Sequence, residues 1–307
     1  MNINKFIKNP FNNNFKTFPN YIQSIKFLLK LNDGRLACSG NKILNIYHKN
    51  SFELQIEIKE HSNYINSFTQ LNDGKIITCS NDKTMKIIEL INEEKYKVIQ
   101  ILNHHSPIFK IIEIKNNELI SISEDGVMKV WILNNNKLFE NILNIKYQKW
   151  SYCNILKLNK KEFVTLNING QFLKFWNSNN YTFINMIDNI QSTSTLNSIC
   201  LLNDNLLCIG GIKKFYLIQI SNHQLIKIIL GINRVYSIKK CLDNLFLCSI
   251  INENKHHCLI KYKIENENFE KVYEKEKAHK TDIWCCIELN NEIIVSVDDL
   301  FLKLWKF

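Results

Sequence analysis

The sequence predicts an all-β chain built from seven copies of a four-stranded antiparallel unit. Three observations carry this: a polar turn that recurs at a nearly constant interval, apolar runs with a period of two, and a seven-residue frame closed by a large apolar residue. The turn reads Leu31-Asn-Asp-Gly, then Leu71-Asn-Asp-Gly, Ile114-Lys-Asn-Asn-Glu, Leu158-Asn-Lys-Lys-Glu, Leu202-Asn-Asp-Asn, Cys241-Leu-Asp-Asn and Leu289-Asn-Asn-Glu, at intervals of 40, 43, 44, 44, 39 and 48 residues. Asn, Asp and Gly tolerate the positive φ of tight hairpin turns, so each copy joins two strands. The frame is Asp125-Gly-Val-Met-Lys-Val-Trp131; it returns as Asp82 to Ile88 and Asp299 to Trp305, and with one extra residue as Asn169 to Trp176.

Each unit divides into strands in the same order. A first strand precedes the turn, as in Ser24 to Leu29 and Asn66 to Thr69. The second follows it: Leu36 to Ser39, Ile76 to Ser80, Leu119 to Ser123, Phe163 to Asn167, Leu206 to Ile209, Leu245 to Ser249 and Ile293 to Val297. These runs are short, apolar and β-prone, as strands buried on both faces must be. The frame supplies the third strand (Met85 to Leu90, Met128 to Ile132, Leu173 to Trp176, Leu302 to Trp305). A fourth lies at Glu53 to Ile58, Tyr96 to Ile101, Tyr181 to Ile187, Leu225 to Leu230 and Phe269 to Tyr273. Four strands per period of about 43 residues is one propeller blade per repeat. The chain stops after a third strand, so residues 13–18 are expected to complete the last blade and close the ring without an open sheet edge.

With these residues in view, the chain resembles the WD-repeat β-propeller family over residues 15–307. That family places a His before the first strand and an Asp at the turn before a terminal Trp. Here the pairs are His61 with Asp82, His105 with Asp125, and His279 with Asp299. The resemblance implies a buried network joining His, Asp, a second-strand hydroxyl and the Trp. Thr78 and Ser121 are the matching hydroxyls, Trp131, Trp176 and Trp305 are its ends, and Val295 leaves the last copy incomplete. Several copies depart from the pattern. The first has Tyr21, Tyr47 and Asn41, and the fourth has Gln148 and Asn169. The fifth and sixth have lost both signature residues, with Gly210-Gly211 and residues 252–257 in their place.

Composition narrows the function. At 45% hydrophobic and 22% charged the chain is globular, and no window of about 18 apolar residues predicts a membrane span. Residues 1–20 lack an apolar run of the secretory kind. The ten cysteines form no Cys-x-x-Cys pair and several fall inside apolar strands, which predicts buried thiols in an intracellular, cytoplasmic or nuclear setting. The net charge of +10 raises the alternative of a subunit in a nucleic-acid-associated assembly. Yet only Arg35 and Arg234 among 39 basic residues are Arg, the residue best suited to phosphate and guanine.

The recurring His, hydroxyl and Asp sets are expected to be structural, since a hydrolase needs one triad. His256-His257-Cys258 and Cys285-Cys286 are adjacent pairs that point to opposite strand faces, so no metal site is expected, nor any cofactor, catalytic residue or small-molecule substrate. The expected function is a non-catalytic protein-interaction scaffold. Partner polypeptides would sit on the face where the first strands begin, because propellers of the resembled family commonly hold them there. Aromatic residues near those starts are the candidate anchors: Tyr21, Tyr64, Phe109, Trp150, Tyr152, Tyr236 and Trp284.

Overall fold

The computed structural model describes residues 15–19, 25–146, 153–167, 172–190, 198–241, 245–265, 267–290, 293–299 and 301–306. Strand β1 (Phe15–Pro19) is followed by blade 1, made of β2 (Ile25–Lys30), β3 (Leu36–Gly40), β4 (Ile43–Tyr47) and β5 (Leu54–Ile58). Blade 2 holds β6 (Ile65–Gln70), β7 (Ile76–Ser80), β8 (Thr84–Leu90) and β9 (Tyr96–Asn103). Blade 3 holds β10 (Ile108–Lys115), β11 (Glu118–Ser123), β12 (Val127–Leu133) and β13 (Phe139–Lys146). Blade 4 holds β14 (Cys153–Lys157), β15 (Glu162–Asn167), β16 (Phe172–Asn177) and β17 (Phe183–Ile187). Each is an antiparallel sheet in chain order.

The next two blades depart from the expected four-plus-four division. Strands β18 (Ile199–Asn203), β19 (Leu206–Gly210), β20 (Ile212–Gln219), β21 (Gln224–Lys240), β22 (Leu245–Ile251), β23 (His257–Glu265) and β24 (Asn268–His279) form one seven-stranded sheet. The 17-residue β21 is shared. Its first half pairs with β20, ending at Ile212↔Arg234, and its second half pairs with β22, beginning at Arg234↔Ile251. It is thus the fourth strand of blade 5 and the first of blade 6. The His-bearing loop that precedes blades 2, 3 and 7 has no counterpart here, so nothing breaks the extended chain.

Blade 7 contains β25 (Cys285–Asn290), β26 (Ile293–Val297) and β27 (Phe301–Lys306), and β1 completes it: Phe15 to Pro19 pair antiparallel with Trp305 to Phe301. The closing strand therefore spans 15–19, close to the expected 13–18. The first strands of successive blades touch in an unbroken cycle, from β2 through β6, β10, β14, β18, β21 and β25 back to β2. Among the described residues the strands thus group into seven blades around a central channel.

The core lies between blades. Period-two strands that are apolar on both faces give each blade two surfaces to bury. Blades 1 and 2 bury Ile46 and Ile56 against Phe68 and Ile88, and blades 2 and 3 bury Ile77 and Met85 against Leu119 and Trp131. Blades 5 and 6 join Phe215 to Phe246, Tyr262 and Phe269 in an aromatic cluster. Blades 7 and 1 join Val295 and Leu304 to Leu36 and Cys38. Positive φ at Gly34 (88°) and Gly74 (91°) lets both Asn-Asp-Gly turns close, each Gly N–H donating to the Leu carbonyl three residues back at 2.9 Å.

Candidate binding face

Three polar networks stand at the end where the first strands begin. In blade 2, His61 Nε2 is 2.7 Å from Thr78 Oγ1 and Nδ1 is 2.7 Å from Asp82 Oδ2. Asp82 also accepts from the Thr84 hydroxyl (2.6 Å) and the Thr84 and Ser62 backbone N–H groups (2.9 and 3.1 Å). Burial alone would raise its carboxyl, but bonds from His61 and Thr84 outweigh that and hold it well below the usual carboxylate range. Position 88, the place of the Trp, is Ile88, packed against blade 1.

In blade 3 the expected His105 is exposed, and its neighbour His104 does the bonding. Trp131 Nε1–H donates to Ser121 Oγ at 2.8 Å, and Ser121 Oγ lies 2.7 Å from His104 Nε2. His104 Nδ1 is 3.1 Å from Ser123 Oγ, which donates to Asp125 Oδ1 at 2.7 Å. Asp125 therefore joins the network through Ser123. With Nδ1 protonated, every link has one donor and one acceptor. Burial first, then repulsion from Lys129, pulls His104 down to about 3 and keeps it neutral.

Blade 7 corrects two further expectations. The hydroxyl is Ser296, not absent as Val295 implied: Trp305 Nε1–H donates to Ser296 Oγ at 2.7 Å, and His279 Nε2 is 2.7 Å from the same atom. The acid facing His279 Nδ1, at 2.8 Å, is Asp298, not Asp299. The network is complete: His279 and Trp305 are as expected, and the hydroxyl and the acid are each one residue off. Blade 4 retains part of it, with Trp176 Nε1–H donating to Thr165 Oγ1 at 2.9 Å; Gln148 and Asn169 lie outside the described residues.

A lysine completes the pattern, and the sequence reading missed it. Thr78, Ser121 and Ser296 pair across the sheet with Lys86, Lys129 and Lys303. Each ammonium donates to the carbonyl just before the network His: Lys86 to Glu60, Lys129 to Asn103 (3.1 Å) and Lys303 to Ala278 (2.7 Å). Its signal was a Lys seven or eight residues after the hydroxyl. None of these hydroxyls is available for chemistry: Thr78, Ser121 and Ser296 are fully buried and bonded on both sides.

The candidate anchors are distributed unevenly. Tyr21, Trp150 and Tyr152 lie outside the described residues. Phe109 and Tyr236 are buried (7% and 2% exposed) and so are not surface contacts themselves. Each first strand there carries a bulge that turns the ring inward, between Ile108 and Lys110 and between Val235 and Ser237. Tyr64 is 47% exposed.

Trp284 is partly exposed and firmly oriented. Its Nε1–H donates to Asp299 Oδ1 at 2.8 Å, and its backbone N–H donates to the Val297 carbonyl at 3.0 Å. Tyr236 meets it edge-on at 5.6 Å, and the Lys26 ammonium stands 5.6 Å from its ring centre. Tyr236 is held in turn by a hydrogen bond to Asp282, with the Arg234 guanidinium 5.2 Å from its ring, and Asp282 also faces His257 at 3.4 Å. His256 faces Glu276 at 3.6 Å, so the two adjacent histidines point to separate carboxylates. Cys38, Cys79, Cys208 and Cys248 are buried within second strands as expected.

Comparison with known proteins accords with this geometry. The family model described as "WD domain, G-beta repeat" matches residues 52–89, the stretch that carries His61, Thr78 and Asp82. No curated protein matches the sequence. A chain of the solved structure titled "Crystal Structure of Mitotic Checkpoint Complex" aligns with a TM-score of 0.75 and 14% identity, covering 98% of this chain and 95% of that one. At that identity the likeness concerns the fold alone, and with 1381 solved chains matching, the fold singles out no partner. No described helix is long and apolar enough to cross a membrane. Repeated His–hydroxyl–Asp networks and a ring of four-stranded blades make the chain a β-propeller, and its residues 52–89 match the WD repeat.

Proposed function

We propose that this propeller is a non-catalytic scaffold that holds partner polypeptides on the face where its first strands begin, with Trp284 as an anchor. The observation that carries the reading is the setting of Trp284. An indole fixed by Asp299 and Tyr236 but still reached by solvent loses little freedom on binding, which is what an interface anchor needs. Lys26 and Arg234 beside the two rings favour an acidic or carbonyl-rich segment. Tyr64 adds an exposed aromatic on the same face.

The test is affinity capture of the full chain with mass spectrometry of its partners, repeated with Trp284→Ala and Tyr64→Ala. Ile142→Ala, on the exposed outer strand β13, is the control. The expected result is loss of partners from Trp284→Ala at an unchanged melting temperature, with the control unaffected. Retention of every partner by both aromatic variants would overturn the assignment.

A further inference from the structure

The central channel carries a charge arrangement that the scaffold reading leaves unused. Lys110 on β10 of blade 3 reaches past blade 2: its ammonium stands 5.1 Å from the ring centre of Phe27, which belongs to blade 1. Blades 1 and 3 are not neighbours, so the side chain passes the intervening first strand β6 on the inner side of the ring. Lys239 stands on the blade 6 half of β21, a first strand of the same ring, and its charge opposes that of Lys110. The other titratable groups acting on Lys110 among the described residues are the thiols of Cys79 on β7 and Cys285 on β25. Burial first, then Lys239, lowers the Lys110 ammonium to about 8, so it remains mostly charged at neutral pH.

A half-buried cation whose charged neighbour is a second cation is costly unless an anion answers it. The surroundings add donors. Ser67 holds in β6 the register position of Lys110 in β10, each being the first paired residue after the strand's bulge. The Ser67 hydroxyl is fully buried and has no hydrogen-bond partner among the described residues. The Ser67 backbone also bonds the Cys79 thiol that faces Lys110, which places Ser67 beside the same group. Two ammonium groups with three N–H donors each and no acceptor, together with a hydroxyl, suit a ligand made almost entirely of acceptors.

We propose that the channel binds a small multivalent oxyanion of phosphate size between Lys110 and Lys239, with Ser67 as an additional donor. The anion would cancel the repulsion between blades 3 and 6 and tie opposite sides of the ring together. The experiment is thermal unfolding of the full chain at pH 7 in potassium phosphate and in potassium chloride of equal ionic strength. Lys110→Met and Lys239→Met are measured alongside.

At about a hundredfold excess over Kd, phosphate is expected to raise the wild-type melting temperature by about 5 °C beyond chloride. Each variant should lose that increment, and Lys110→Met should melt no lower than wild type in chloride, because it removes a half-buried charge that Lys239 opposes. With sulfate, which stays a dianion, the wild-type increment should shrink as the pH rises above about 9 and Lys110 loses its proton. Absence of the increment in wild type, or an equal increment in wild type and both variants, would overturn the proposal, as would a sulfate increment unchanged to pH 10. If Lys110→Met does not fold, Lys239→Met alone decides.

Discussion

Adjacent histidines at 104 and 105 allow a sharp test of how the blades are held. His104→Ala removes a buried ring that faces Ser121 at 2.7 Å and Ser123 at 3.1 Å and packs 5.8 Å from Trp131. Ser123 keeps Asp125 and the Val127 carbonyl, whereas Ser121 keeps only the Trp131 N–H and loses the acceptor for its own proton. One buried hydroxyl left unanswered costs about 1–3 kcal/mol. The space vacated by the ring adds a cavity cost, bringing the expected loss to about 3–4 kcal/mol. His105 is exposed, so His105→Ala should change stability by no more than about 0.5 kcal/mol. Urea unfolding followed by tryptophan fluorescence measures both variants under one condition. Comparable losses for the two, or a larger loss for His105→Ala, would refute the network as drawn.

Three other outcomes are expected. Gly210→Ala should destabilise by about 1–3 kcal/mol in the same urea assay, because a Cβ there would lie 2.5–2.6 Å from Val235, and the Val Cβ cannot swing aside. Deleting residues 1–19 removes the strand that pairs with Phe301 to Trp305 and should lower the melting temperature by about 10 °C; an unchanged melt would show that β1 does not close the ring. Acid should act through His104: its pKa is about 3 in the fold against roughly 6.5 unfolded, so its contribution is full above pH 6.5 and is lost on going down towards 3. The loss is about 1.4 kcal/mol per pH unit across that window, and His104→Gln should remove that part of the slope.

The architecture was legible in the sequence because its signals are local. Asn-Asp-Gly turns fix where strands end, and period-two runs fix what they bury, so Ile76–Ser80 and Ile293–Val297 agree with the expected strands residue for residue. The phase of the networks was less legible, since neighbouring residues on a strand face opposite sides and a slip of one reverses every side chain. Val295 for Ser296 is such a slip on β26, whereas His105 for His104 and Asp299 for Asp298 are one-residue slips in the loops beside the strands. A better ruler was present: the His and the hydroxyl lie 17 residues apart in all three networks. The His-to-Asp interval varies because the turn between second and third strands varies. The burial of Phe109 and Tyr236 depends on bulges that single-residue patterns do not announce.

The slip at blade 7 alters the functional reading as well as the structural one. Asp298 is 1% exposed and faces His279, so it belongs to the joint that fixes blade 7. Asp299, the next residue, is therefore left free of that joint, and its carboxylate receives the indole N–H of Trp284. Two adjacent acids thus divide two tasks. Asp298→Asn should weaken the charge-assisted bond to His279 and cost about 1–3 kcal/mol of stability. Asp299→Asn should leave unfolding nearly unchanged yet loosen the orientation of Trp284, and partner capture should fall with it. If Asp299→Asn instead destabilised the fold as much as Asp298→Asn, the separation of joint from anchor would be wrong. Trp284 would then be packing between blades, not a binding surface.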